Sequence, residues 1–152
     1  LIDWTLAVFG LLGFAAATSG GFFRPGEWYE RLRKPSWTPP NWAFGAVWSV
    51  LYVMIVIAGW LVWRNEPGGP AVWLWGIQLV LNALWSAIFF GMRRIDLAMA
   101  EVLLLWLAIA AFIVAAAGIS ATAAILFVPY LIWVTIAAAL NWGVLRMNAA
   151  AP

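Results

Sequence analysis

Three rows of side chains stand out in an otherwise apolar chain as the ones that could do chemistry. Gln78, Asn82 and Trp85 recur at i, i+4 and i+7 and so share one face of a helix. Tyr130, Trp133, Ala137 and Asn141 form a comparable row, in which Ala137 leaves space between larger groups, and Trp48 and Tyr52 lie one turn apart. Polar groups inside hydrocarbon are costly, so they turn toward a bundle interior or serve a function. Indole walls with a few placed donors suit a large, flat, mostly apolar ligand with a polar edge. Core packing accounts for any one tryptophan taken alone. As a set, Trp42, Trp48, Trp85, Trp106 and Trp133 favour a pocket, because several share rows with Asn, Gln or Tyr.

Conventional catalysis lacks its parts. The 152 residues contain no His and no Cys, which removes the commonest general base and metal ligand along with thiolate chemistry and disulfides. No metal site is expected, and no nucleotide motif or pair of discontinuous helices announces a pump. Glu101 is the sole acid well inside an apolar run. A carboxylate at the bilayer centre costs on the order of 3 kcal/mol, and Arg93 and Arg94 lie about two helical turns away. Glu101 is therefore expected near an interface, paired or protonated, in a structural role rather than as a proton relay.

The elements that carry these rows must be membrane helices. With 66% hydrophobic and 9% charged residues, against about 25% charge in soluble domains, the chain is an all-α integral membrane protein. Apolar runs occupy 4–23, 42–63, 71–91 and an almost unbroken 97–145. A helix through the last would be roughly 70 Å long against a hydrocarbon core of about 30 Å. It must fold back, and the sequence GISAT at 118–122 supplies a permissive Gly and a Ser or Thr cap. Five transmembrane helices in a single 1–152 domain follow, at about 4–23, 42–63, 71–91, 97–117 and 122–146. The first run carries Asp3 and no preceding Lys or Arg, and reads as a retained helix rather than a cleaved signal. Pro129 leaves the Ile125 carbonyl without its helical donor and predicts a kink in the fifth helix.

Between the first two helices lies a loop at 24–41 whose core, WYERLRKPSWTPPNW, is too aromatic and proline-rich for a solvated linker. Residues EWYERLRK suit a short interfacial helix, and Pro35, Pro39 and Pro40 predict a stiff, extended run after it, together a structured lid. Arg24, Arg31, Arg33, Lys34, Arg93, Arg94 and Arg146 fall on one face of a five-span topology and Arg64 alone on the other. The positive-inside rule then places the C-terminus in the cytoplasm. Trp4, Trp60, Trp63 and Trp73 sit near run ends, as interfacial belts do. Small residues recur every fourth position at Gly13, Ala17 and Gly21 and at Ala83, Ala87 and Gly91, which predicts close helix contacts and a homodimer. A net charge of +2 is too small to suggest nucleic acid.

Three long motifs, WYERLRKPSWTPPNWAFGAVWSVLY, QLVLNALWSAIFFG and PYLIWVTIAAALN, in this order and spacing, resemble the translocator protein family, also called tryptophan-rich sensory proteins or peripheral-type benzodiazepine receptors. The resemblance spans nearly the whole chain. It implies a five-helix bundle, commonly dimeric, with a cavity beneath the first long loop that binds porphyrins, and sterols and benzodiazepine-site ligands in animal members. Carried over by motif, the pocket comprises Trp42, Trp48, Asn82, Trp85, Tyr130, Trp133, Ala137 and Leu140. Trp48 and Trp133 match tryptophans that the resemblance ties to light-dependent porphyrin degradation. The sterol motif departs from the family pattern: Leu140 and Arg146 flank Trp142, where a tyrosine is usual.

A bacterial-type member in a bacterial inner or outer membrane is implied. Its ligand would be a tetrapyrrole such as protoporphyrin IX, metal-free because no His or Cys offers a strong axial ligand, with Arg or Lys of the loop meeting the propionates. Sterol-like and membrane lipids are further partners, and no cofactor is required. Three functions compete: binding in tetrapyrrole transport, sensing or regulation; photochemical porphyrin degradation; and a structural or partner-binding membrane role.

Overall fold

The computed structural model describes residues 3–149. Among them there are no strands, and five helical spans are long and apolar enough to cross a membrane. Helix α1 runs Trp4–Phe22, α2 Glu27–Arg31, α3 Asn41–Asn65, α4 Pro70–Ser86, α5 Ile95–Ala117, α6 Ala121–Leu126 and α7 Val128–Asn148. A π-helical turn at Ala87–Gly91 extends α4, and α6 with α7 forms the fifth span.

Local chemistry sets these ends. Asp3 caps α1, accepting from the N–H groups of Thr5 and Leu6, and also takes the Trp60 indole N–H at 3.2 Å, tying the start of α1 to the end of α3. Those bonds, the Thr5 hydroxyl's foremost, hold the Asp3 carboxyl below its usual range. Ser120 caps α6 through the Ala123 N–H. The π turn closes with Arg93 at a φ of 57°, a left-handed residue that lets the Arg94 N–H reach the Ile88 carbonyl at 3.1 Å.

The spans form a ring: α1 packs on α3 and α4, α4 on α5, α5 on α6 and α7, and α3 on α6. At the end away from the lid the ring is filled. Gly59 brings α3 so close that a Cβ there would lie 2.5 Å from the Trp75 ring, and Phe9 meets that ring edge-on at 4.8 Å. The Trp75 indole N–H donates to the Ile55 carbonyl at 2.8 Å. Some members of the small-residue rows pack inside the chain: Gly13 faces Val56, Gly91 faces Phe23, and the Ala83 carbonyl accepts from the Ser19 hydroxyl at 2.6 Å, while Gly21 has no neighbour within 4 Å of where a Cβ would stand.

Three local expectations are made specific. The fifth span breaks at Phe127, two residues before Pro129, because α7 restarts with Pro129 in its first turn, where no donor is needed. The proline-rich stretch is not extended throughout. It turns at Ser36 and Trp37, with the Thr38 N–H donating to the Pro35 carbonyl at 3.1 Å. Glu101 is buried, and neither carboxyl oxygen has a hydrogen-bond partner among the described residues. Of the two expected alternatives, pairing is therefore not seen among the described residues, and Arg94 pairs with Asp96 at 2.8 Å.

Candidate functional site

Where the far end of the ring is packed solid, the lid end opens into a cavity of about 540 Å³. All five spans contribute: Ala17 and Gly20 from α1, Trp48 and Tyr52 from α3, Asn82 and Trp85 from α4, Val102 and Leu105 from α5, and Val134 and Ala137 from the fifth. Arg24, Pro25 and Tyr29 close it from the lid. The π turn adds Phe90, which packs edge-on to Trp85 at 5.7 Å and to Tyr29 at 5.5 Å.

The two polar rows meet behind this wall in two sets of hydrogen bonds. The Tyr52 hydroxyl donates to Asn82 Oδ1 at 2.5 Å, Asn82 Nδ2 donates to the Tyr130 hydroxyl at 2.7 Å, and that hydroxyl donates to Gln78 Oε1 at 2.8 Å. Gln78 Nε2 returns to the Trp75 carbonyl at 2.8 Å. Trp85 donates to Asn141 Oδ1 at 3.0 Å, and Asn141 Nδ2 donates to the Ile95 carbonyl at 3.0 Å, fixing α4, α5 and α7 to one another. With no water in the bilayer core these groups must satisfy one another, so the two sets make a rigid floor. Of these groups, Tyr52, Asn82 and Trp85 reach the cavity.

Charge enters only at the mouth. Among the described residues lining the cavity, Arg24 is the one charged side chain, and the Asn41 amide, which also lines it, donates to Glu30 Oε1 at 2.9 Å. Lys34 is engaged elsewhere, donating to the carbonyls of Tyr29 and Leu32 at 2.8 and 3.2 Å, while Arg31 pairs with Glu27 at 3.1 Å. The arrangement can therefore receive an apolar slab against indole and phenyl faces and meet an anionic edge at Arg24. No group of His, Cys, Asp and Glu among the described residues is placed to hold a metal.

The sequence from residue 5 to 147 matches the description of the TspO/MBR family. The chain belongs to that family. It is similar to the tryptophan-rich sensory protein of Cereibacter sphaeroides, 41% identical over 97% of this chain and 94% of that one. The human translocator protein is 42% identical over 90% of this chain and 89% of its own. Protein CrtK of Rhodobacter capsulatus is 40% identical over 93% and 91%. The chain is thus a multi-pass membrane protein of the TspO/MBR family.

Of the pocket residues carried over from the family motifs, Trp48, Asn82, Trp85 and Ala137 line the cavity. Tyr130 is wholly buried one layer behind it, joined to the wall through Asn82. Trp133 also lies behind, its ring 6.4 Å from Trp48 and 5.7 Å from Phe44, with its buried N–H unpartnered among the described residues. Leu140 is buried in a separate cluster with Tyr29, Phe89 and Val144. Trp42 is 76% exposed and borders a shallow polar groove on the outer side of the lid. Trp142 and Arg146 are exposed, the guanidinium 5.9 Å from the indole, so the sterol-like motif is split between the outer surface of α7 and the buried Leu140. Arg24, Phe44 and Phe90 are cavity residues that row spacing did not reveal. Phe44 follows Trp48 by one turn backward and was within reach of the same argument.

Proposed function

We propose that this TspO/MBR member binds a porphyrin in the cavity beneath the lid and serves the transport, sensing or regulation of tetrapyrrole metabolism. The single observation behind this reading is the cavity's makeup, an aromatic chamber of about 540 Å³ with one cation at its mouth and no acid on its walls. That volume lies within the range of about 300–1,000 Å³ typical of small-molecule pockets. A planar macrocycle would lie against Trp48 and Trp85 with its carboxylates at Arg24. Nothing in this arrangement depends on a coordinated metal, which favours the metal-free ring.

Titration with protoporphyrin IX in detergent, read by tryptophan fluorescence, tests the reading. Wild type should quench saturably, and Ala137→Phe, which fills the chamber, should abolish that quenching. Equal, unsaturable quenching of both proteins would refute it. The edge-on pair of Trp48 and Trp133, at 88° and 6.4 Å, favours a second reading, in which the bound ring is degraded in light. Bleaching that persists undiminished in Trp48→Phe would remove that alternative.

A further inference from the structure

Three lid residues, Arg24, Pro25 and Tyr29, form part of the cavity wall. The short helix α2 is held by Tyr29, which is buried with Phe89, Leu140 and Val144, while Trp28 and Leu32 pack at the edge of that cluster. After α2 the chain crosses the end of α7 and meets two fittings there. Pro35 sits over Gly143, where an added Cβ would lie 2.6 Å from the proline Cγ. Two residues earlier, the Arg33 N–H donates to Asn148 Oδ1 at 3.2 Å and Asn148 Nδ2 donates to the Arg33 carbonyl at 2.9 Å. The same Nδ2 donates to the Val144 carbonyl at 2.7 Å, which fixes the amide on its own helix. A primary amide has two donor hydrogens and an acceptor oxygen, and here all are engaged. The side chain pairs with residue 33 as a neighbouring strand would, exchanging one bond in each direction.

We propose that Asn148 is a positioning residue for the cavity, a clamp that fastens the lid to the end of α7 and sets how fast ligand passes. The proposal rests on the cavity being the binding site. Asn148 and Gly143 lie outside the cavity lining, so the clamp is made equally with and without ligand. Breaking it speeds association and dissociation together and leaves their ratio nearly unchanged. A residue that merely shapes the pocket would change the ratio.

Asn148→Asp is the sharpest perturbation, because it keeps the size and the acceptor but replaces both N–H donors with lone pairs facing two carbonyls. Stopped-flow mixing of the full chain with protoporphyrin IX should show both rates about tenfold faster, a change of about 1.4 kcal/mol in the barrier, with Kd within about twofold. Gly143→Ala, which pushes on Pro35, should accelerate both rates as well and tests the clamp independently of Asn148. A ligand-free arm uses the absence of cysteine: Ala137→Cys places one thiol inside the cavity, and its labelling by a charged maleimide should quicken when Asn148→Asp is added. Faster labelling in a protein that binds no porphyrin would uphold the clamp and overturn the porphyrin reading. Unchanged labelling, or a Kd weakened tenfold at an unchanged association rate, would overturn the clamp.

Discussion

Replacing Tyr130 with Phe isolates what the polar network contributes. Tyr130 is fully buried, and its ring packs on Phe127 at 5.2 Å and Trp48 at 6.2 Å. Phe preserves those ring contacts and removes only the hydroxyl, so no large cavity accompanies the change. Two bonds disappear, leaving Gln78 Oε1 without a donor and Asn82 Nδ2 without an acceptor. Side-chain hydrogen bonds within membrane bundles contribute about 0.6 kcal/mol on average and at most about 1.7, and a stranded buried partner costs about 1–3 kcal/mol. The expected destabilisation is about 2 kcal/mol, with about 1–3 as the range those values allow. Unfolding by a denaturing detergent, followed by tryptophan fluorescence, measures it. Because Tyr130 lies behind the cavity wall, protoporphyrin affinity should change far less than stability. Combining Tyr130→Phe with Asn82→Leu should cost less than the sum, since both changes delete the same Asn82–Tyr130 bond. Tyr130→Phe as stable as wild type, or strictly additive with Asn82→Leu, would refute the network as a source of stability.

Two further outcomes follow from other parts of the fold. Gly59→Ala forces a methyl to within 2.5 Å of the Trp75 ring and 2.8 Å of Phe9, and should cost about 1–3 kcal/mol by overpacking, measured by the same unfolding assay. Burial, with a smaller push from Glu30, raises the Tyr29 hydroxyl above the ordinary tyrosine range. Since its folded value is raised, the stability it lends the lid is complete below the unfolded value near about 10 and lost as pH rises through the folded one. Tyrosinate absorbance of wild type minus Tyr29→Phe should therefore titrate later than a free tyrosine, accompanied by faster labelling of the cavity thiol described above.

The spans were legible because hydrocarbon imposes length and apolarity directly on sequence, and the fold-back at 118–122 because a helix through it would overshoot the bilayer. The rows at Gln78 and Asn82 and at Tyr130 were legible by spacing, and the structure joins them in one network. Spacing gives a direction but not a depth. It placed Tyr130, Trp133 and Ala137 in one row, while in the folded chain only Ala137 reaches the cavity surface. The π turn was not legible, since a single residue of extra winding leaves no trace in a pattern of apolar residues, yet it brings Phe90 to the wall. Lys34 reads as a charge bound for water; in the folded chain it turns back to donate to three backbone carbonyls at the end of α2, and the turn after it was misrepresented as extended by proline content alone. Trp42 carries the family motif, but it begins α3 on the outward side.

The way Asn148 grips the lid separates two traits that loops usually mix. Both bonds go to the main chain of residue 33, so the fastening is blind to which side chain that residue carries. Arg33 itself points outward and is exposed. Its identity can drift with the charge of the membrane around it, through Lys, Gln or Ser, without loosening the lid. At position 148 no such latitude exists, and a library varying the two sites together should return many residues at 33 and almost only Asn at 148.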